Sequence, residues 1–269
     1  MSNKKVAIIF YGLTRTLGKT INSFEQNLFK PLKENHIEYD IFIHTYKIFG
    51  QYNNQWSKEQ TQDYQNEDVE KILKPKYFIW DNQEDIINSI NFNEYYKKLG
   101  NWTNFSKKMT KYLIRNMCLA LYSKKQITLL FEKNISNYDY AIIIRPDTQL
   151  LNRFDVDYFN ELNNNNIIIP QKDWYQGCND RISIGTPHII SYYGKLFDEL
   201  KDYSMKKSII SERYLLDKLN ENKITIISKD IDYNTLRINN NNQNNDYIII
   251  IIIFIIIFII LLTFKFLSF

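Results

Sequence analysis

Four apolar runs of strand length, Lys5 to Tyr11, Tyr39 to Tyr46, Lys76 to Asp81 and Tyr138 to Arg145, alternate with helix-like patterns along this chain. Such alternation calls for crossover connections, and hence for a mostly parallel sheet with helices on its faces. The helical patterns cover Lys19 to Asn35, Ser106 to Asn134, His188 to Leu200 and Ser211 to Asn222. In the longest, Met109, Leu113, Met117, Leu121, Ile127 and Leu130 recur at a helical period over a length no strand reaches. Pro31 should end or kink the first, and Ser211 is placed to cap the last. Short strands are expected at Asn166 to Pro170 and Lys223 to Ser228, with loops at 12–18 and 173–187 and a polar stretch at 50–66.

No repeat of 20 to 50 residues is visible, and no linker divides residues 1–237, so one α/β domain is the economical reading. At 269 residues and 44% hydrophobic content the chain can bury a sizeable core. Its net charge of +4 is spread along the sequence, which argues against a nucleic-acid surface and leaves room for an anionic small molecule. Cys118 and Cys178 form no CxxC pair or Cys/His ligand spacing, so neither a structural zinc site nor a disulfide framework is expected. Asn, Ile, Lys, Tyr and Phe dominate, as codon bias in an AT-rich gene would produce, and the same bias generates the sequons at Asn101, Asn104 and Asn134 by chance.

The two ends differ. The opening apolar run is too short for a signal peptide and lacks a cleavage site, so it reads as a first strand. From Tyr247 to Phe264, eighteen residues carry no charge and are nearly all Ile, Phe and Leu. As a helix that run spans about 27 Å, close to the hydrocarbon thickness of a bilayer. The expectation is a single-pass tail anchor at 247–264, an Asn-rich tether at 238–246 and a folded domain facing the cytoplasm.

Chemistry is expected where strands end. In an open α/β sheet the ligand sits outside the carboxyl ends of the strands, and YDYAIIIRPD stops there on Arg145, Pro146 and Asp147. A site and an exposed ion pair closing a turn at Pro146 both fit. After the first strand, Gly12 permits close backbone approach and Arg15 can meet a phosphate in bidentate fashion, although neither GxGxxG nor GxxxxGK[ST] is present. His44 ends the second strand, where a lone histidine also serves as a hydrogen-bonded structural residue; His36 and His188 lie at helix ends. Asn179, Asp180 and Arg181 offer the mixed donors and acceptors that bind sugar hydroxyls, with Trp174 and Tyr175 upstream as aromatic faces, or else form an Asx-type turn. Glu212, in the first turn of a helix, is suited to act as a general base on an acceptor hydroxyl, although the helix dipole alone accounts for a carboxylate there.

In order and spacing, KVAIIFYGLTRTL, YDIFIHTY, NMCLALYSKKQ, YDYAIIIRPDTQL, IIIPQ, NDRISIG and SERYLL resemble the small GT-A type glycosyltransferases of bacterial surface-polysaccharide loci and large DNA viruses, over roughly residues 4–222. The resemblance implies a GT-A, Rossmann-like fold that moves a sugar from a nucleotide-sugar donor to a hydroxyl of a glycan, lipid or protein acceptor at a membrane, with no nucleic-acid partner. It implies donor contacts at Gly12, Arg15, His44, Tyr122 and Arg145, catalytic carboxylates at Asp147, Glu212 and Asp180, and sugar or acceptor contacts at Trp174, Asn179 and Arg181. The usual Asp-x-Asp metal motif has Arg145 in its first position, so Asp147 alone is left as a ligand for Mn²⁺ or Mg²⁺ and metal dependence stands open. A membrane-tethered relative that keeps sugar or protein recognition without turnover is the alternative.

Overall fold

The structure is a computed structural model that describes residues 4–99 and 105–238. Its centre is a seven-stranded sheet built from β1 (Lys5–Tyr11), β2 (Glu38–Lys47), β5 (Tyr77–Asn82), β6 (Tyr140–Ile144), β8 (Asn166–Pro170), β9 (Ile182–Gly185) and β10 (Thr225–Lys229), in the order β10-β8-β9-β6-β1-β2-β5. Every pairing is parallel except those of β9, which runs antiparallel to both β6 and β8. Two small antiparallel pairs complete the strands, a hairpin of β3 (Tyr52–Asn54) with β4 (Glu59–Thr61), and β7 (Thr148–Leu150) with β11 (Tyr233–Thr235). The result is the mostly parallel α/β sheet flanked by helices that the alternating sequence implied, and it is Rossmann-like, as the resemblance implied.

Both faces of the sheet are covered, and the pleat divides β1 between them. Ala7, Ile9 and Tyr11 join the core under α5 (Lys107–Glu132), α6 (Pro187–Gly194), α7 (Phe197–Lys206) and α8 (Ser211–Glu221), while Val6, Ile8 and Phe10 join the core under α1 (Leu17–Phe24) and α3 (Val69–Leu73). Ser106 caps α5 by accepting from the Met109 N–H at 3.2 Å.

Local expectations are sharpened or corrected at several points. The helix does not stop at Pro31: α1 passes through a π-helical turn at Glu25–Phe29 into α2 (Lys30–Glu34), and the Asn27 carbonyl, which proline's missing N–H leaves open, accepts from the Phe154 N–H at 2.7 Å. The stretch 173–187 is not all loop, because β9 lies inside it, and the polar stretch 50–66 holds the β3–β4 hairpin. His188 to Leu200 falls in two helices, α6 and α7. Ser211 does not cap α8; Ile210 occupies that position and the Ser211 hydroxyl donates to Asp180 Oδ2 at 2.8 Å. The expected anchor at 247–264, all of the tether but Ile238, and the sequons at Asn101 and Asn104 lie outside the described residues, among which no helix is long and apolar enough to cross a membrane. Ile238 itself is held against the domain, its N–H donating to Glu59 Oε1 at 2.9 Å.

Candidate functional site

The carboxyl ends of β1, β2 and β6 open onto a cleft of about 800 Å³. Because β9 alone runs backwards, its amino end lies at that same edge, and the loop before it is delivered beside Arg145, whose N–H donates to the Arg181 carbonyl at 3.1 Å. Gly12 stands at the mouth of β1 with φ +95, a left-handed conformation that a side chain would strain, and its N–H reaches Ser123 Oγ at 2.8 Å.

Asp147 is the hub of this edge. Its side chain is 2% exposed and accepts from three arginines: Arg145 binds it in bidentate fashion at 2.9 and 2.6 Å, Arg15 reaches Oδ2 at 3.0 Å and Arg237 reaches Oδ2 at 2.6 Å. Burial alone would raise this carboxyl, but the guanidinium groups outweigh it, Arg145 foremost, and hold it well below the usual carboxylate range. Buried Glu59, on the β3–β4 hairpin, approaches Arg15 Nε at 3.3 Å and Arg237 Nε at 3.9 Å. The cluster therefore sets three guanidinium groups against two carboxylates, all of them inside one network.

This donor set does not fit a divalent cation at Asp147. Oδ1 is taken by Arg145 Nε and Oδ2 by all three arginines, so an ion would have to displace them and sit against their charge. No group of three or more His, Cys, Asp or Glu placed to hold a metal occurs among the described residues.

Across the cleft, the loop before β9 meets the start of α8. Gly177 packs on the helix so closely that a Cβ there would lie 2.0 Å from the Glu212 carbonyl carbon, and the Cys178 N–H donates to the Glu212 carbonyl at 2.9 Å. Asp180 is enclosed, bound by Ser211 and approached by Arg181 Nη1 at 3.5 Å; burial opposes its ionisation, but Arg181 and then Arg145 keep its carboxyl low. Glu212 faces the opposite situation. Burial and the neighbouring Asp180 charge push its carboxyl up to about 7, and the group lines the cleft. A carboxylate poised near neutrality is what proton abstraction from a hydroxyl requires.

Gly12, Arg15, Arg145, Asp147, Asp180, Arg181 and Glu212 are thus brought to one cleft. The other four sequence candidates do not line it. His44 lies 1% exposed beneath the floor, locked by Asp81 Oδ2 at 3.0 Å on Nε2 and by Ser123 Oγ at 2.7 Å on Nδ1. Tyr122 packs edge-on against the His44 ring with centroids 6.2 Å apart, behind the same floor. Trp174 donates its indole N–H to the Pro170 carbonyl and anchors the loop, so it is the next residue, Tyr175, 65% exposed, that offers an aromatic face to the cleft. Asn179 is fully buried and satisfied: its amide donates to the Lys172 carbonyl at 2.8 Å and to the Tyr233 hydroxyl, and its Oδ1 accepts from the Arg181 N–H at 2.8 Å, which is the Asx-type turn.

Sequence reasoning missed three participants. Arg237 and Glu59 sit in polar stretches with no local signal. Lys124 is different, because it falls three residues after Leu121 and three before Ile127, on the apolar stripe of α5, and a lysine on such a stripe is a detectable anomaly. It is 1% exposed and lies over the Tyr11 and Tyr193 rings at 4.8 and 4.1 Å.

No protein-family profile matches the chain, and no curated protein matches it. Among solved structures it is similar to a glucose-1-phosphate thymidylyltransferase from Bacillus anthracis in complex with sucrose, at 12% identity and a TM-score of 0.40, over 86% of this chain and 89% of that one. A likeness of that strength carries nothing about ligand or reaction.

Proposed function

We propose that this protein is a glycosyltransferase of GT-A type that transfers a sugar from a nucleoside-diphosphate donor to a hydroxyl acceptor, with the apolar run at 247–264 as its membrane anchor. The observation that carries the reading is the convergence of Arg15, Arg145 and Arg237 at the strand ends, within one cleft with Glu212. Seven cationic side chains line that cleft against three carboxylates, which suits a dianionic ligand. Tyr52, Trp56, Phe105 and Tyr112 supply an aromatic wall on which a nucleobase can stack.

In this reading the guanidinium groups bind the diphosphate and stabilise the charge that grows on it as the bond from the anomeric carbon to the phosphate oxygen breaks, the role a divalent ion would otherwise fill. The acceptor oxygen forms the new bond to the anomeric carbon and gives its proton to Glu212. Arg181 and Asp180 would meet the sugar, and Asp147 would act on the arginines and not on the substrate.

The full chain in detergent, titrated with UDP, GDP, CDP and dTDP by calorimetry, should bind at least one of them, should bind it equally in EDTA, and should transfer sugar from the matching nucleotide sugar. Asp147→Ala should weaken that binding although it removes a negative charge, since Arg15, Arg145 and Arg237 then lose the common partner that holds them in one array. Failure of every nucleotide to bind the wild-type chain would sink the proposal, whereas binding with neither transfer nor hydrolysis would favour an inactive, membrane-tethered recognition module.

A further inference from the structure

Four cationic side chains in the cleft stand outside the Asp147 cluster, Arg115, Lys124, Arg181 and Arg213, and two of them, Lys124 and Arg181, lie on either side of Tyr11 without a bonded anion. The Lys124 ammonium lies between the faces of Tyr11, from β1, and Tyr193, from α6, and among the described residues no carboxylate forms an ion pair with it. Arg181, beside the strand end, has Nε and Nη1 buried without a hydrogen bond; its nearest carboxylates, Asp180 and Asp173, stand at 3.5 and 3.7 Å, out of bonding geometry. Both groups line the cleft. A buried ammonium is costly to keep without an anion, and a guanidinium edge with unused donors is equally incomplete. Tyr11 links them, since its hydroxyl donates to the Asp180 carbonyl at 2.6 Å while its ring carries Lys124.

We propose that Lys124 and Arg181 form a second anion-binding pole that receives a carboxylate on the transferred sugar, so that the donor is the nucleotide ester of a uronic acid or another carboxylated sugar. The inference rests on the transferase reading and narrows its substrate class. A neutral hexose would leave the ammonium unpaired, whereas a ring carboxylate offers two oxygens to one ammonium and one guanidinium edge.

The pole is sensitive to pH in a defined direction. The groups facing Lys124 are Tyr11 from β1, Tyr193 from α6, Arg145 from the end of β6, and Cys178 and Asp180 from the loop before β9. Burial lowers the Lys124 ammonium to about 8, with Asp180 opposing and Arg145 reinforcing the shift. A bound carboxylate raises it again, so the preference for an acidic sugar is complete below about pH 8 and is lost as pH rises through that value.

The test compares UDP-glucuronate with UDP-glucose and GDP-mannuronate with GDP-mannose, by calorimetry on the full chain in detergent at pH 7 and pH 9.5. The uronate of the accepted base should bind about tenfold more tightly or better at pH 7 and approach parity at pH 9.5. Lys124→Met, which fills the space between the two tyrosines without charge, should erase the preference while nucleoside diphosphate still binds. Equal affinity of the wild-type chain for the two sugars overturns the inference without any variant. A Lys124→Met protein that is folded by circular dichroism and loses nucleoside diphosphate and both sugars alike also overturns it, since Lys124 would then be a phosphate contact. If no nucleoside diphosphate binds, the transferase reading itself fails; if one binds and its uronate is not preferred, only the acidic sugar falls.

Discussion

Half-buried Glu212 and buried Asp147 are carboxylates at one cleft, yet their surroundings drive them in opposite directions. Asp147 is ringed by guanidinium groups and stays ionised, whereas Glu212 is pushed up to about 7 by burial and by Asp180. Below the ordinary glutamate value both the folded and unfolded chains carry the proton at 212, and between that value and about 7 only the unfolded chain gives it up readily, so the folded state loses stability as pH rises through this window. Glu212→Gln should therefore raise Tm at pH 8, by about 2–4 °C if the group costs ~1 kcal/mol there, and should leave it unchanged near pH 4. The same variant should lower transfer by about 10²–10⁴-fold with donor affinity intact, and wild-type kcat should fall as pH drops below 7. A variant that is less stable at pH 8, or as active as wild type, would show that Glu212 is not the base. The dipole of α8 had explained Glu212 in the sequence as a carboxylate in a first turn; its basicity comes from burial in the cleft and then from Asp180, packed beside it from far off in the chain.

Elements decide which residues meet, and here one short strand does most of that. β9 spans only Ile182–Gly185, too few residues for a period to stand out in a stretch of polar and aromatic residues, so the loop 173–187 concealed it. The parallel strands were legible because burial on both faces leaves long apolar runs, and α5 was legible because it repeats its period over many turns. The antiparallel course of β9 is what turns Asp180 and Arg181 toward Arg145 and Glu212. That junction depends on Gly177, where the backbone of the loop lies against the backbone of α8. Gly177→Ala places a methyl 2.0 Å from the Glu212 carbonyl carbon, and neither backbone can yield cheaply. The variant should lose about 1–3 kcal/mol of stability by thermal unfolding and should lose transfer more completely than nucleotide binding, because it displaces Glu212 and leaves the Asp147 cluster in place. Undiminished transfer would mean that the start of α8 takes no part in the chemistry.

In the whole molecule, order should decline from the middle of the sheet outward. β1 and β6 are covered on both faces, whereas β10 and β5 are edges and the β3–β4 hairpin stands apart from the main sheet. Hydrogen exchange followed by mass spectrometry should find β1 and β6 protected longest and the hairpin exchanging first; a hairpin protected as well as β1 would show that the Glu59 contacts bind it into the global folding unit. The α/β class and the gathering of Gly12, Arg15, Arg145 and Asp147 at the strand ends were readable because each is written in contiguous residues, while Glu59, Lys124 and Arg237 meet partners far off in the chain. Arg237 sets the charge of the strand-end cluster. Arg15 and Arg145 alone would be matched by Asp147 and Glu59, one charge for one charge, and a balanced cluster has no pull on a phosphate. The surplus comes from a residue beyond the last strand, so a proteolytic cut just before it would leave the seven-stranded sheet and the cores on its two faces in place, release Glu59 from Arg237 and Ile238, and switch the cradle from attractive to indifferent, so that activity is lost well before the fold is.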